Sequence, residues 1–301
     1  MNHIIDEINA LKKQRNAVIL AHNYVAGEIQ DIADFCGDSL ELSIKAKNVS
    51  APVIVFCGVR FMAETAKLLS PDATVLLPQE NAGCPMADMA DGEAVAAKKN
   101  ADPDTVFVAY VNSTAAVKAH VDICCTSGNV EKVLNSIPAD KKIMFLPDRN
   151  LGANMTGKLG RTMNLWEGCC PFHNGVTVEA IRAARTAHPG ALVMVHPECK
   201  TEVVAEADLA LSTGGMLKFV RESEAQEFIV GTESGIMHRL IKENPGKKFY
   251  TLSPEILCTD MKRITLEDVR NCLRDMSGQV ELPADLMKAA VRPIEAMLAL
   301  S

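Results

Sequence analysis

The sequence predicts an α/β protein of three similar αβα three-layer units with parallel sheets, related by pseudo-threefold symmetry around a central cavity. Three sets of markers that keep one register predict it. Apolar runs ending in polar residues lie at 17–24 (AVILAHNY), 105–112 (TVFVAYVN) and 191–198 (ALVMVHPE), and aligning His22, Tyr110 and His196 leaves intervals of 88 and 86 residues. Hydroxyl-bearing junctions follow about fifteen residues later, and Ser39, Ser127 and Thr213 repeat the same 88 and 86. A cysteine then closes each copy, at Cys84, Cys170 and Cys258, spaced 86 and 88 apart. A fixed period of this kind marks repeated supersecondary units.

Within the first copy, 17–22 reads as a strand, 28–49 as a helical pattern, 53–57 as a second strand, 60–69 as a helix and 73–77 as a short third strand. Short apolar strands alternating with helices favour a parallel sheet covered on both faces and joined by right-handed crossovers. Ligands of such sheets bind beyond the carboxyl ends of the strands. Those ends carry His22, Asn23, Tyr24, Tyr110, Asn112, His196 and Glu198, so three polar rims are expected to face one cavity. Segment 259–301 starts a helix at a Thr265/Asp268 capping box and a final helix near Pro283, and Pro293 is expected to kink or end part of the latter. The expected domains are 1–85 with 259–301, 86–171 and 172–258, packed together without a Gly/Ser linker.

Composition narrows the partners. Lys plus Arg number 31 against 38 Asp plus Glu, a net charge of −7, and aromatics make up 4%. Neither the basic footprint nor the stacking platform of a nucleic-acid binder is present. The first apolar run, Ala17–Ala21, is too short for a signal-peptide core or a bilayer span, so a cytoplasmic protein without membrane contact is expected. Ten cysteines in a long chain without an export signal read as reduced thiols. No Cys-x-x-Cys occurs, which excludes the usual zinc-ribbon and bacterial-ferredoxin patterns.

The rim residues suggest chemistry. Ser39, Ser127 and Ser212 or Thr213 precede helical patterns and read as N-caps, where exposed N–H groups bind anions. A cavity ringed by three such termini should take a small, multiply anionic substrate. His22 and His196 end apolar runs, and Glu198, Tyr24 and Tyr110 supply acid–base groups if they converge. The repeat would carry Cys84, Cys170 and Cys258 to equivalent points around one axis. Three thiolates there suit an iron–sulfur cluster with one iron free of protein ligand, able to act as a Lewis acid in a dehydration. Two other readings stay open: an iron–sulfur hydro-lyase acting on a hydroxy acid, and a non-catalytic binding protein for small anionic metabolites.

The whole chain resembles the bacterial and archaeal quinolinate synthases. The stretches that carry the resemblance are AHNY at 21–24, GDS at 37–39, GCPMAD at 83–88, AYVN at 109–112, TSGN at 126–129, WEGCCPFH at 166–173, HPEC at 196–199, GTESG at 231–235 and CTDMKRIT at 258–265. One departure is Leu211, where Gly is expected before the Ser-Thr pair; Cys258 stands alone in its loop, so no regulatory disulfide is expected there. The resemblance implies three pseudo-symmetric α/β domains and one [4Fe-4S] cluster per chain on Cys84, Cys170 and Cys258, with Cys169 a bystander. It implies condensation of iminoaspartate with dihydroxyacetone phosphate to quinolinate, phosphate and two waters, on the route to NAD, with a functional link to an L-aspartate oxidase. Tyr24, Tyr110, His196 and Glu198 would be catalytic. His22, Ser39, Asn112, Ser127, Ser212 and Thr213 would bind substrate together with Tyr110, His196 and Glu198.

Overall fold

A computed structural model describes residues 2–253 and 256–301 of the chain. The first unit runs α1 (Asn2–Arg15), β1 (Ala17–His22), α2 (Gly27–Ile32), β2 (Phe35–Gly37), α3 (Ser39–Asn48), β3 (Val53–Cys57), α4 (Arg60–Leu69) and β4 (Thr74–Leu76). The second runs α5 (Gly92–Ala101), β5 (Val106–Tyr110), α6 (Ala115–Lys118), β6 (Ile123–Cys125), α7 (Val130–Ser136), β7 (Ile143–Leu146), α8 (Arg149–Leu159) and β8 (Asn164–Leu165). The third opens on α9 (Pro171–Asn174) and α10 (Val178–Ala187), then β9 (Leu192–Val195), α11 (Thr201–Glu206), β10 (Leu209–Ala210), α12 (Thr213–Glu222), β11 (Glu227–Gly231), α13 (Ile236–Glu243) and β12 (Lys248–Thr251). Helices α14 (Leu266–Asp275) and α15 (Ala284–Ala299) close the chain. All three sheets are four-stranded and parallel, with one order: β2-β1-β3-β4, β6-β5-β7-β8 and β10-β9-β11-β12.

The helix expected over 28–49 is in fact two helices separated by β2, and every sheet has a fourth strand beyond the three expected. The extra strands β2, β6 and β10 hold two or three residues each and pair on one side only. Strands that short leave no periodic pattern to read.

What holds these edge strands is itself repeated. Asp34, Asp122 and Asp208, spaced 88 and 86 apart, precede β2, β6 and β10. Each carboxylate accepts from the neighbouring inner strand: Ile19 N at 2.8 Å, Phe107 N at 2.7 Å and Val193 N at 2.7 Å. Each is also paired with a cation on the helix that leads into that inner strand, namely Lys12 on α1, Lys99 on α5 and Arg185 on α10. The same device thus fixes the same register three times.

The inner strands are buried on both faces; every residue of VIVFC in β3 and IMFL in β7 is inaccessible or nearly so. Val269 and Leu273 of α14 pack with Ile8 of α1 in a core that continues into Met216 and Phe228 of the third unit. Ala290, Ile294 and Met297 of α15 pack into the core of the second sheet. Helix α15 runs through Pro293, which does not end it. Proline forfeits one backbone bond there, and the apolar face buried on either side of it outweighs that loss. The capping box at Thr265 and Asp268 is present. No helix among the described residues is long and apolar enough to cross a membrane.

Candidate active site

The carboxyl ends of β1, β5 and β9 deliver His22, Tyr110 and His196 to one cavity of about 70 Å³, room for several waters. Tyr24, Ser39, Asn112, Ser127, Glu198, Thr213, Cys84, Cys170 and Cys258 line the same wall, so residues from all three units meet there. Ser212 lies outside the wall and caps α12, accepting from Gly215 N at 3.1 Å. The caps expected at Ser39 and Ser127 are instead Asp38, which forms a capping box with Glu41 at α3, and Asn129, which starts α7 without a side-chain cap bond. Asp38 displaces its neighbour because its carboxylate reaches two N–H groups, those of Leu40 and Glu41. Ser39 and Ser127 thus line the cavity from positions other than the cap.

Glu198, buried just beyond β9, is the hub. Its Oε1 accepts from the Tyr110 hydroxyl at 2.6 Å and its Oε2 lies 2.7 Å from His173 Nδ1. From His173 Nε2 the chain continues to Thr232 Oγ1 at 2.8 Å and on to the Tyr24 hydroxyl. Burial works against the Glu198 carboxylate, but the hydrogen bonds from His173 and Tyr110 hold it below the usual carboxylate range. Burial, reinforced by Glu198, pushes the Tyr24 and Tyr110 phenols well above theirs. At neutral pH Glu198 therefore stands in the cavity as an ionised carboxylate faced by the neutral phenols of Tyr24 and Tyr110.

The two rim histidines are held alike. Nδ1 of His22 accepts from Tyr24 N at 3.2 Å, and Nδ1 of His196 accepts from Glu198 N at 3.3 Å. An Nδ1 that accepts belongs to a neutral ring whose proton is on Nε2. Burial agrees, lowering His22 to about 3 and His196 to about 4. Neither Lys nor Arg lines the cavity among the described residues. An anionic ligand would accordingly be met by neutral N–H and O–H donors and by the N-terminus of α3 or α12, not by a counter-charge.

The thiols of Cys84, Cys170 and Cys258 are half-buried, each in the loop beyond the last strand of its unit, β4, β8 and β12. Burial pushes Cys84 up to about 12, Cys170 well above its usual value and Cys258 upward. Such thiols ionise only against a cation, and with no Lys or Arg in the wall a thiophilic metal centre fits this donor set. Asp148 aids the arrangement by accepting from Cys170 N at 3.0 Å while capping α8, and burial lifts its own pKa to about 7. Glu233 accepts from Cys258 N at 3.3 Å and pairs with Lys262, whose ammonium also donates to the Tyr24 carbonyl. Gly235 is needed at this junction, since a Cβ would lie 2.4 Å from the Tyr24 oxygen. A second cluster of donors, Cys170, His173 and Glu198, brings one atom from each within 4.8 Å of the others.

Sequence reasoning overlooked His173, Thr232, Asp148 and Glu233. The first sits three residues beyond Cys170, one helical turn along, inside a stretch already singled out; Thr232 and Glu233 lie in GTESG. Asp148 carried no signal, because its role depends on a contact with a loop twenty-two residues away.

The family model described as Quinolinate synthetase A protein matches residues 6–299. Among similar proteins, the quinolinate synthase of Desulforudis audaxviator is 51% identical over 299 residues, 99% of each chain. That of Pelobacter propionicus is 50% identical over 99% of this chain and 98% of its own. The quinolinate synthase of Methanoregula boonei is 47% identical over 98% and 97%. Match and identity at this level, extending over nearly every residue of the three repeated units, mean that the chain belongs to the quinolinate synthetase A family.

Proposed function

We propose that this chain is a quinolinate synthase that condenses iminoaspartate with dihydroxyacetone phosphate, releasing quinolinate, inorganic phosphate and two waters. Cys84, Cys170 and Cys258 would hold one [4Fe-4S] cluster, and when bound it supplies a Lewis-acidic iron for the final dehydration. The observation that carries the reading is the meeting, on one wall, of a cysteine from each repeated unit with the Tyr110–Glu198 pair.

The chain's own groups divide the remaining work. Glu198, ionised and bonded through both oxygens, takes a proton from the carbon next to the triose carbonyl; the Tyr110 hydroxyl on Oε1 supplies one to the enolate oxygen that develops from that carbonyl. Tyr24, at the far end of the His173–Thr232 chain, closes the site and excludes water. His22, His196, Ser39, Ser127 and Thr213 orient carboxylates and phosphate as neutral donors, and Ser212 fixes the α12 terminus beneath them. The substrate iminoaspartate calls for an amino-acid oxidase such as L-aspartate oxidase as its source, and a cytoplasmic setting suits reduced thiols. Domains at 1–85 with 259–301, 86–171 and 172–258 accompany this reading.

Protein purified without oxygen should contain about four irons and four sulfides per chain and form quinolinate from freshly generated iminoaspartate and dihydroxyacetone phosphate. Cluster-replete protein that forms none would end the reading. The Cys170, His173 and Glu198 donors favour a second one, a single metal ion at that point. The cluster reading requires Cys84→Ala, Cys170→Ala and Cys258→Ala all to lose iron, with Cys36→Ala and Cys272→Ala keeping it; a single ion would survive Cys84→Ala and Cys258→Ala.

A further inference from the structure

Lys118 ends the short helix α6 and is wholly inaccessible to solvent. A lysine buried to that degree is rare and must be matched by acceptors. Its ammonium donates to the carbonyls of Val111, at 2.8 Å, and of Ser113. It also lies 5.5 Å from the centroid of the Phe61 ring, and Phe61 lines the cavity, so Lys118 sits behind the wall. The two carbonyls it clamps flank Asn112.

Asn112 lines the cavity, and its Oδ1 is buried with no hydrogen-bond partner among the described residues. A buried amide oxygen left without a donor costs free energy, which a ligand N–H or O–H would recover. Among the described residues no hydrogen bond to its Oδ1 holds the amide in place. The backbone does: Ser113 Oγ donates to the Tyr110 carbonyl, Ser113 N to the Val111 carbonyl, and Glu64 of α4 accepts from Ala115 N at 2.9 Å. Lys118 spans this turn from behind and is the cation bridging both sides of Asn112.

We infer that Lys118 is a positioning residue, which clamps the Val111 and Ser113 carbonyls so that the Asn112 amide is presented to an N–H or O–H donor of the bound substrate. The clamp never touches substrate. Methionine matches the unbranched stem of lysine but brings no donor, leaving both carbonyls unpaired and the turn free to relax.

For its kinetic arm the inference rests on the quinolinate synthase reading. With reconstituted holoenzyme, Lys118→Met and Asn112→Ala should each lower kcat/KM about tenfold, with the same division of the loss between kcat and KM. The double variant should lose less than about twofold beyond Asn112→Ala alone, because residues acting through one another are non-additive. Losses that multiply, a different kcat-to-KM division, or wild-type kinetics in Lys118→Met would overturn the inference. Wild-type holoenzyme that forms no quinolinate overturns the functional reading instead. The clamp is then judged by crystal structures of wild-type and Lys118→Met protein: an Asn112 side chain displaced from the wall supports it and an unmoved one refutes it. Should Lys118→Met not fold, Lys118→Gln, whose shorter, uncharged side chain cannot span both carbonyls, takes its place: a smaller loss divided between kcat and KM as in Asn112→Ala supports the clamp, and a different division overturns it.

Discussion

The chemistry proposed for the cavity rests on few side chains, whose protonation states are set by burial and by neighbours. Glu198 accepts from Tyr110 and is bonded to His173, so its charge is held by two separate partners. Glu198→Gln keeps the shape but removes the proton acceptor, and turnover should fall by about 10²–10⁴-fold with iron content unchanged. Steady-state assays beside iron analysis check this; activity within tenfold of wild type would remove Glu198 from the proton-transfer role. Tyr110→Phe should leave the Glu198 carboxylate with one partner fewer and show a smaller loss of the same kind. Glu198, Tyr110 and the histidines were readable as candidates because they end apolar runs. The link through His173 and Thr232 was not, since it joins residues 59 positions apart in sequence.

The repeated aspartates show how a single side chain decides an element. Each is the acceptor for an inner-strand N–H and immediately precedes an edge strand too short to persist by its own pairing. Asp122→Ala should leave Phe107 N–H without its partner and cost about 1–3 kcal/mol. Asp34→Ala and Asp208→Ala should cost comparable amounts, because the geometry is the same. Thermal unfolding of the three variants tests this, and a loss confined to one unit would contradict the equivalence. These positions share the register of the rim and cysteine markers, so the signal was present in the sequence. It passed unnoticed because an aspartate before a two- or three-residue strand looks like any loop residue. Likewise Ser212→Ala should cost about 1 kcal/mol through the lost cap at α12, whereas Ser39→Ala should cost less, Asp38 being the cap of α3.

For the molecule as a whole, burial of His22 and His196 links stability to pH. Both bind a proton more readily unfolded, near 6.5, than folded, at about 3 and about 4. Their effect is nil above pH 6.5, and as the pH falls below it the unfolded state holds more protons, so stability drops. Each histidine contributes about 1.4 kcal/mol per pH unit until its folded value is reached. Calorimetry should show the unfolding temperature lower at pH 5 than at pH 7.5, with His22→Gln flattening the slope. A transition independent of pH across that interval would mean that the rings are solvated.

Periodicity and residue type were enough for the three-unit α/β plan, the rim residues and the cysteine of each copy, because repeated units place repeated residues at constant separation. Convergence was a different matter. Parallel sheets put polar groups at their carboxyl ends, but which ends share one cavity depends on how the units pack, as the joined core of the first and third units illustrates. Protonation states, the bond from Asp148 to the Cys170 loop and the buried lysine behind Asn112 arise from contacts between distant segments. Desolvation and hydrogen bonding act across space, and spacing along the chain carries no record of them.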